Sequence, residues 1–195
     1  MSKIWFTSDW HLGHTNITGP KVSSWNGGYR DFDNVSDMNQ TIIQTINKYV
    51  KYDDVIYNLG DFSFGGHQNL PNYRDQIHCQ TIHLLRGNHD EKVDLYKDKF
   101  TSINDTLTVK FGKHTFFMSH YSHRVWLGSH KGIIHLYGHS HDSIPDYGKS
   151  MDIGIDVAKR LTGEYRPFCV EEIIQMMDKK EIKLVDHHDH NTNIR

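Results

Sequence analysis

Apolar positions along this chain change rhythm several times, and each change marks an element. The run from Lys3 to Ser8 is short, nearly all apolar and stops at Asp9, which predicts a buried strand. Met38, Ile42, Ile43, Ile46, Tyr49 and Val50 recur at helical spacing after Ser36, the expected cap. A second strand is predicted over Asp54 to Leu59, ending at Gly60-Asp61, followed by a helix through Tyr73 and Ile77. Thr81 to Leu85 reads as a third strand, ending at Gly87-Asn88-His89-Asp90, and Glu91 to Phe100 as a helix. Strict alternation in Thr106 to Lys110 and His114 to Met118, around Phe111-Gly112-Lys113, predicts a hairpin whose second arm ends at Ser119-His120. Ile133 to Tyr137 is a further strand, ending at Gly138-His139-Ser140-His141, and Met151 to Asp156 another. Glu171 to Lys179 reads as a short helix, or as a final strand pair with Ile182 to Val185.

Strands alternate with helices first and dominate later, which predicts an α/β chain with sheet layers inside and helices outside. The expected organisation is one domain over residues 1–185 and a polar, disordered tail over 186–195. Five of the predicted strands end in a loop holding Asp, Asn or His, and the C-terminal ends of strands are where open α/β sheets bind ligands.

Composition narrows the function classes. Of 195 residues, 24% are charged and 36% apolar, and the formal charge is −2, so the basic surplus of a duplex-coating protein is missing. A small nucleotide is still compatible with that balance. Two cysteines outside any CxxC pattern make a disulfide framework unexpected. No run approaches the ~18 apolar residues of a membrane span, and no signal peptide is expected. The expected location is cytoplasmic, with no membrane partner. The outlier is histidine, with 16 copies, more than packing alone requires.

Five loops gather chemistry-bearing residues: Asp9-Trp10-His11, Gly60-Asp61, Gly87-Asn88-His89-Asp90, Ser119-His120 and Gly138-His139-Ser140-His141. Carboxylate, amide and imidazole together suit Mn, Fe, Zn or Ni and exclude a thiolate site. Alternate residues of an extended segment point the same way, so Asp9 with His11, and His139 with His141, can each reach one cavity. Gly60, Gly87 and Gly138 allow close backbone approach just past the strands.

In that order and spacing, the loops resemble the calcineurin-like metallophosphoesterase family over about residues 3–156, and more narrowly a small bacterial and phage subgroup. The resemblance implies a four-layer α/β fold, a central β-sandwich flanked by helices. It also implies two divalent metal ions, manganese first among them. Asp9, His11 and His141 would hold one ion, Asn88, His120 and His139 the other, and Asp61 would bridge them. His89 would face the substrate and protonate the leaving oxygen, with Asp90 orienting its ring. A metal-bound hydroxide would then hydrolyse a phosphate ester. The one departure is Ser119, where many members of the family carry glycine.

The remaining candidates each have two readings. His14 and Asn16 either line a substrate pocket or fix their loop. His123, Arg124, Trp126 and His130, between two ligand loops, are expected to contact substrate, Arg124 through phosphate and Trp126 through a base or sugar. The alternative is a solvated turn with Trp126 in the core. His67, His78, His83 and His114 are expected to be ordinary, and the His187-His188-Asp189-His190 tail solvated. The functional expectation is hydrolysis of a small phosphate ester, a nucleotide or nucleic-acid-end diester ahead of a monoester. The other classes weighed are a non-catalytic metal scaffold and a nuclease on long nucleic acid, for which Lys110, Lys113, Arg124 and Lys131 are too scattered.

Overall fold

A computed structural model describes residues 2–19 and 30–184. The tail and part of the loop before Arg30 lie outside them. Strand β1 (Ile4–Thr7) pairs in parallel with β2 (Val55–Asn58), β2 with β3 (Thr81–Leu85) and β3 with β4 (Ser102–Asn104). The two-residue β9 (Phe168–Cys169) closes the other edge of this sheet antiparallel to β1. A second sheet holds the hairpin β5 (Thr106–Phe111) and β6 (His114–Ser119), then β7 (Ile134–Tyr137) and β8 (Ser150–Asp152), with β6, β7 and β8 parallel.

Strand alternation decides what each face meets. Trp5, Ile56, Ile82 and Leu84 point outward from the first sheet and pack under helix α1 (Val35–Tyr49) through Met38, Ile42 and Ile46. Each of these helix side chains contributes roughly 1.5–3 kcal/mol as an upper figure. The α1 cap is Asn34, two residues earlier than expected, whose side-chain oxygen accepts from the Asp37 amide at 2.9 Å. On the inner face, Phe6, Tyr57, Leu59 and Leu85 meet Phe116, Met118, Ile134, Leu136 and Met151 of the second sheet. That shared core makes the expected sandwich.

Helix α2 (Leu70–Arg74) flanks the first sheet, and α3 (Ile155–Thr162) and α4 (Val170–Asp178) follow the second. The helical reading of the last segment therefore holds. The expected strand over Met151 to Asp156 stops at Asp152. Gly154 then caps α3, a helix without the Ser, Thr, Asp or Asn start that sequence reading looks for. The expected helix over Glu91 to Phe100 is instead 3-10 over Val93–Lys99, kinked at Tyr96. Among the described residues no helix is long and apolar enough to cross a membrane.

Candidate metal centre

Strands β1, β2, β3, β6 and β7 all deliver their C-terminal ends to one rim of the sandwich. Pairing continues past the strands there: the Asp9 amide donates to Gly60 O (2.9 Å), the His11 amide to Asp61 O (2.9 Å) and the Gly138 amide to His120 O (2.9 Å). These bonds hold an unusual backbone. Asp9, His11, Asp61, His139, His141 and Asp142 have φ between 45° and 66°, and are the only non-glycine residues at positive φ among those described. For residues with a Cβ this conformation costs roughly 1–2 kcal/mol each, and such strain concentrates at functional sites. Five of the six belong to the predicted ligand set.

Close approach needs the glycines. A Cβ on Gly60 would lie 2.6 Å from the Gly87 nitrogen and from His120 Nδ1, and one on Gly138 would fall 2.6 Å from Asp9 Oδ2. Ser119, standing where glycine was expected, donates its hydroxyl to Tyr121 O at 2.7 Å and closes the turn that presents His120.

The side chains form two overlapping clusters. In one, His11 Nε2 and His141 Nε2 are 3.1 Å apart, and each is 3.9 Å from Asp9 Oδ1. In the other, Asn88 Oδ1 lies 3.1 Å from His120 Nε2 and 2.9 Å from His139 Nδ1. Asp61 stands between them, its Oδ2 3.4 Å from His11 Nε2 and 3.6 Å from His120 Nε2. Its other oxygen accepts the His89 amide at 2.9 Å. Donors bound about 2.0–2.2 Å from one ion sit roughly 2.8–3.6 Å apart at octahedral or tetrahedral angles. All these separations but those to Asp9 fall within that range, so these side chains fit the binding of a divalent cation.

Hydrogen bonds turn the imidazoles the right way. Nδ1 of His120 meets Leu59 O at 2.8 Å, which leaves Nε2 bare toward Asp61 and Asn88. Nδ1 of His141 meets Asp156 Oδ2 at 2.7 Å and frees Nε2 toward Asp9. The electrostatics of these groups suit a cation binding among them. Asp9 is fully buried, and burial, with Asp152 and Asp61 adding repulsion against the pull of His141 and His120, pushes its carboxyl up to about 7. Burial and the neighbouring His141 push His11 well below the usual imidazole range, and burial with His120 lowers His139. Both effects favour the neutral ring that ligates a metal.

A pH dependence follows. Asp9 holds its proton in the folded, metal-free chain until about pH 7, against 3.8 ordinarily. Its contribution to metal-free stability is therefore fully present only below pH 3.8 and is lost progressively as pH rises to about 7. A cation must displace that proton. Mn²⁺ affinity should rise steadily between pH 6 and 7 with proton release, read by calorimetry in buffers of different ionisation enthalpy. A flat profile with no proton released would refute this account of Asp9.

His14, Asn16 and His89 join Asp61, Asn88 and the candidate ligands His11, His139 and His141 around a cavity of about 380 Å³. His14 stacks on Phe64 (3.9 Å between centroids), and burial with the nearby His89 pushes it down to about 4. His89 is 32% exposed at its side chain, with Nε2 4.0 Å from Asp61 Oδ2, and meets the Phe64 ring edge-on at 4.8 Å. A second cavity of about 400 Å³, lined by Phe64, His67, Leu70 and Lys92 among others, shares Asn88 and His89 with the first.

Two expectations change here. Asp90 does not orient the His89 ring. Its carboxylate accepts the Asp61, Gly87 and Phe62 amides at 2.7, 2.9 and 3.2 Å, because the turn from Gly87 folds it back beneath the loop. Burial raises it to about 6 even so. Asp90 thus ties the Asp61 loop to the Asn88 loop. The segment holding His123, Arg124, Trp126 and His130 does not line the cavity around Asp61. Trp126 is 7% exposed, stacks near His135 and donates its indole N–H to Ile133 O at 2.7 Å, while Arg124 lies over Tyr147. Sequence reading missed Asp156 and Arg30, which meet each other beneath the site, and Phe64.

No protein-family model matches the sequence. An uncharacterized protein of Methanocaldococcus jannaschii is 26% identical over 191 residues, covering 93% of this chain and 95% of its own length. A protein of unknown function from Aquifex aeolicus shares the fold at a TM-score of 0.66 and 20% identity, over 90% of this chain and all of that one. An archaeal phosphodiesterase matches at a TM-score of 0.48 and 19% identity, over 83% of this chain and 88% of that one.

Proposed function

We propose that this chain is a metal-dependent phosphoesterase of the calcineurin-like kind, acting on a small phosphodiester such as a nucleotide or a nucleic-acid end. The observation that carries the reading is Asp61 Oδ2, set between His11 Nε2 and His120 Nε2 at 3.4 and 3.6 Å. One buried carboxylate thereby stands between two donor clusters and lines an open cavity. Asp9, His11 and His141 would hold one divalent cation, and Asn88, His120 and His139 the other, manganese being the first candidate. Such a pair supplies an activated water and offsets charge on the phosphoryl oxygens.

The protein does the rest. Neutral His11 and His139 leave their ring nitrogens free to ligate. The His89 amide fixes Asp61 Oδ1, so the shared oxygen keeps its place. The His89 ring, exposed at the junction of both cavities, is placed to give a proton to the departing oxygen. His14, whose ring lies 5.8 Å from that of His89, and Asn16 line the same cavity.

Two features support a diester. Among the described residues no Lys or Arg lines the inner cavity, so there little beyond the cations would hold the second charge of a monoester. The adjoining cavity also gives room for a second organic arm past His89. The test is hydrolysis of bis-p-nitrophenyl phosphate against p-nitrophenyl phosphate by chelated protein reloaded with Mn²⁺. Faster, Mn²⁺-dependent diester turnover is expected. Preference for the monoester would make the chain a phosphatase. Two bound ions without turnover of either ester would make it a metal-binding scaffold.

A further inference from the structure

Arg30 is almost wholly buried, and among the described residues its guanidinium bonds to Asp156, Asp9 and Trp10, with Met38 Sδ farther off at 3.9 Å. Its Nε and Nη2 grip Asp156 Oδ1 and Oδ2, both at 2.8 Å. Its Nη2 also donates to Asp9 O at 2.5 Å and its Nη1 to Trp10 O at 2.9 Å. Asp156 in turn meets His141 Nδ1 at 2.7 Å. One planar guanidinium therefore touches the backbone of the strained Asp9-Trp10-His11 turn and, through one carboxylate, the ring of His141. The Asp9–His11–His141 cluster is pinned from both sides of the sandwich. Among the described residues the other cluster shows no such pair: His120 is oriented by the neutral Leu59 carbonyl.

We infer that Arg30 and Asp156 are positioning residues for one metal position only, that of Asp9, His11 and His141. This rests on the metal-dependent reading above. The carboxylate fixes the His141 tautomer and makes its Nε2 a better donor, an outer contact whose loss costs about 10–100-fold in metal affinity. The guanidinium offsets the buried carboxylate and holds two carbonyls whose residues sit in, or next to, a left-handed backbone. Lysine cannot replace this fork. A pair that merely locked the fold would affect both metal positions, and the melting temperature, together.

The experiment is a stepwise Mn²⁺ titration of chelated full-length chain, by equilibrium dialysis, with melting of the metal-free protein followed by circular dichroism. Wild type should bind two ions. In Asp156→Asn, affinity should fall about 10–100-fold for one ion and stay within about twofold for the other, whose ligands Asp156 does not touch. Asp156→Glu keeps the charge and should recover part of the loss. The double variant Arg30→Met with Asp156→Leu removes both buried charges, an exchange folds often tolerate. It should melt within a few degrees of wild type and still bind one ion weakly. If that variant fails to fold, Arg30→Lys serves instead, with a smaller loss confined to the same ion. Equal weakening of both ions, or wild-type affinities in Asp156→Asn, would overturn the assignment. A wild-type chain that binds no Mn²⁺ would overturn it too, by removing the metal reading on which it rests.

Discussion

Replacing Asp61 by asparagine should empty both metal positions at once. The variant is nearly isosteric, and its amide oxygen can still accept the His89 amide that Asp61 Oδ1 accepts at 2.9 Å. What disappears is the charge on Oδ2, which faces His11 on one side and His120 on the other. One cluster keeps a carboxylate, Asp9. The other keeps only Asn88 and two imidazoles. The affinity lost at each position should exceed the roughly 10–100-fold typical of outer contacts, and turnover at micromolar Mn²⁺ should fall by about 10³ or more as the activated water is lost. Metal-free stability should move the other way. Asp61 adds to the repulsion that, after burial, raises the Asp9 carboxyl, so removing its charge should leave the apo melting temperature unchanged or higher. Elemental analysis after dialysis, with thermal melting of apo and loaded protein, separates the outcomes. Two ions retained at wild-type affinity would show that Asp61 bridges nothing.

The candidate ligands were legible because each follows directly on a strand whose apolar run is unmistakable. Ile4–Thr7, Val55–Asn58, Thr81–Leu85, His114–Ser119 and Ile134–Tyr137 form where the pattern put them, within a residue or two. Because these strands end together, the residues just beyond them meet. A sixth strand end was hidden. Asp156 stands one residue inside α3, after a break at Gly154, and the sequence there reads as uninterrupted strand. Its partner Arg30 is 126 residues away, beyond the range of any local pattern. Trp126 misled for a related reason. Lying between two ligand loops in sequence suggested closeness in space, yet β6 and β7 run parallel. A parallel pair needs a crossover back to the far end of the sheet, so only the ends of residues 120–138 reach the site. The middle covers the second sheet's outer face, where Trp126 meets His135. Asp90, expected to orient the His89 ring, instead accepts three backbone amides, because it follows a turn whose direction sequence does not give.

His89→Ala should separate binding from chemistry. The imidazole is close enough to Asp61 Oδ2, at 4.0 Å, to form a third possible donor group with His11 and Asp61. Two facts favour a catalytic place for it instead. Its side chain is exposed where His11 and His120 are buried, and it stands where the two cavities join. On the proposed reading, a ring at that junction would face the oxygen that leaves. Alanine keeps the backbone amide, so Asp61 Oδ1 retains its bond and the ligands keep their places. Metal content should therefore remain at two ions while kcat for an alkyl phosphodiester falls by about 10²–10⁴, the span of a lost general acid. For a p-nitrophenyl ester the fall should be much smaller, because that leaving group departs without a proton. This contrast is the sharper readout, since a merely structural lesion would slow both esters alike. Loss of an ion in His89→Ala would instead make His89 a ligand, and the proton for the leaving oxygen would have to come from His14 or from water.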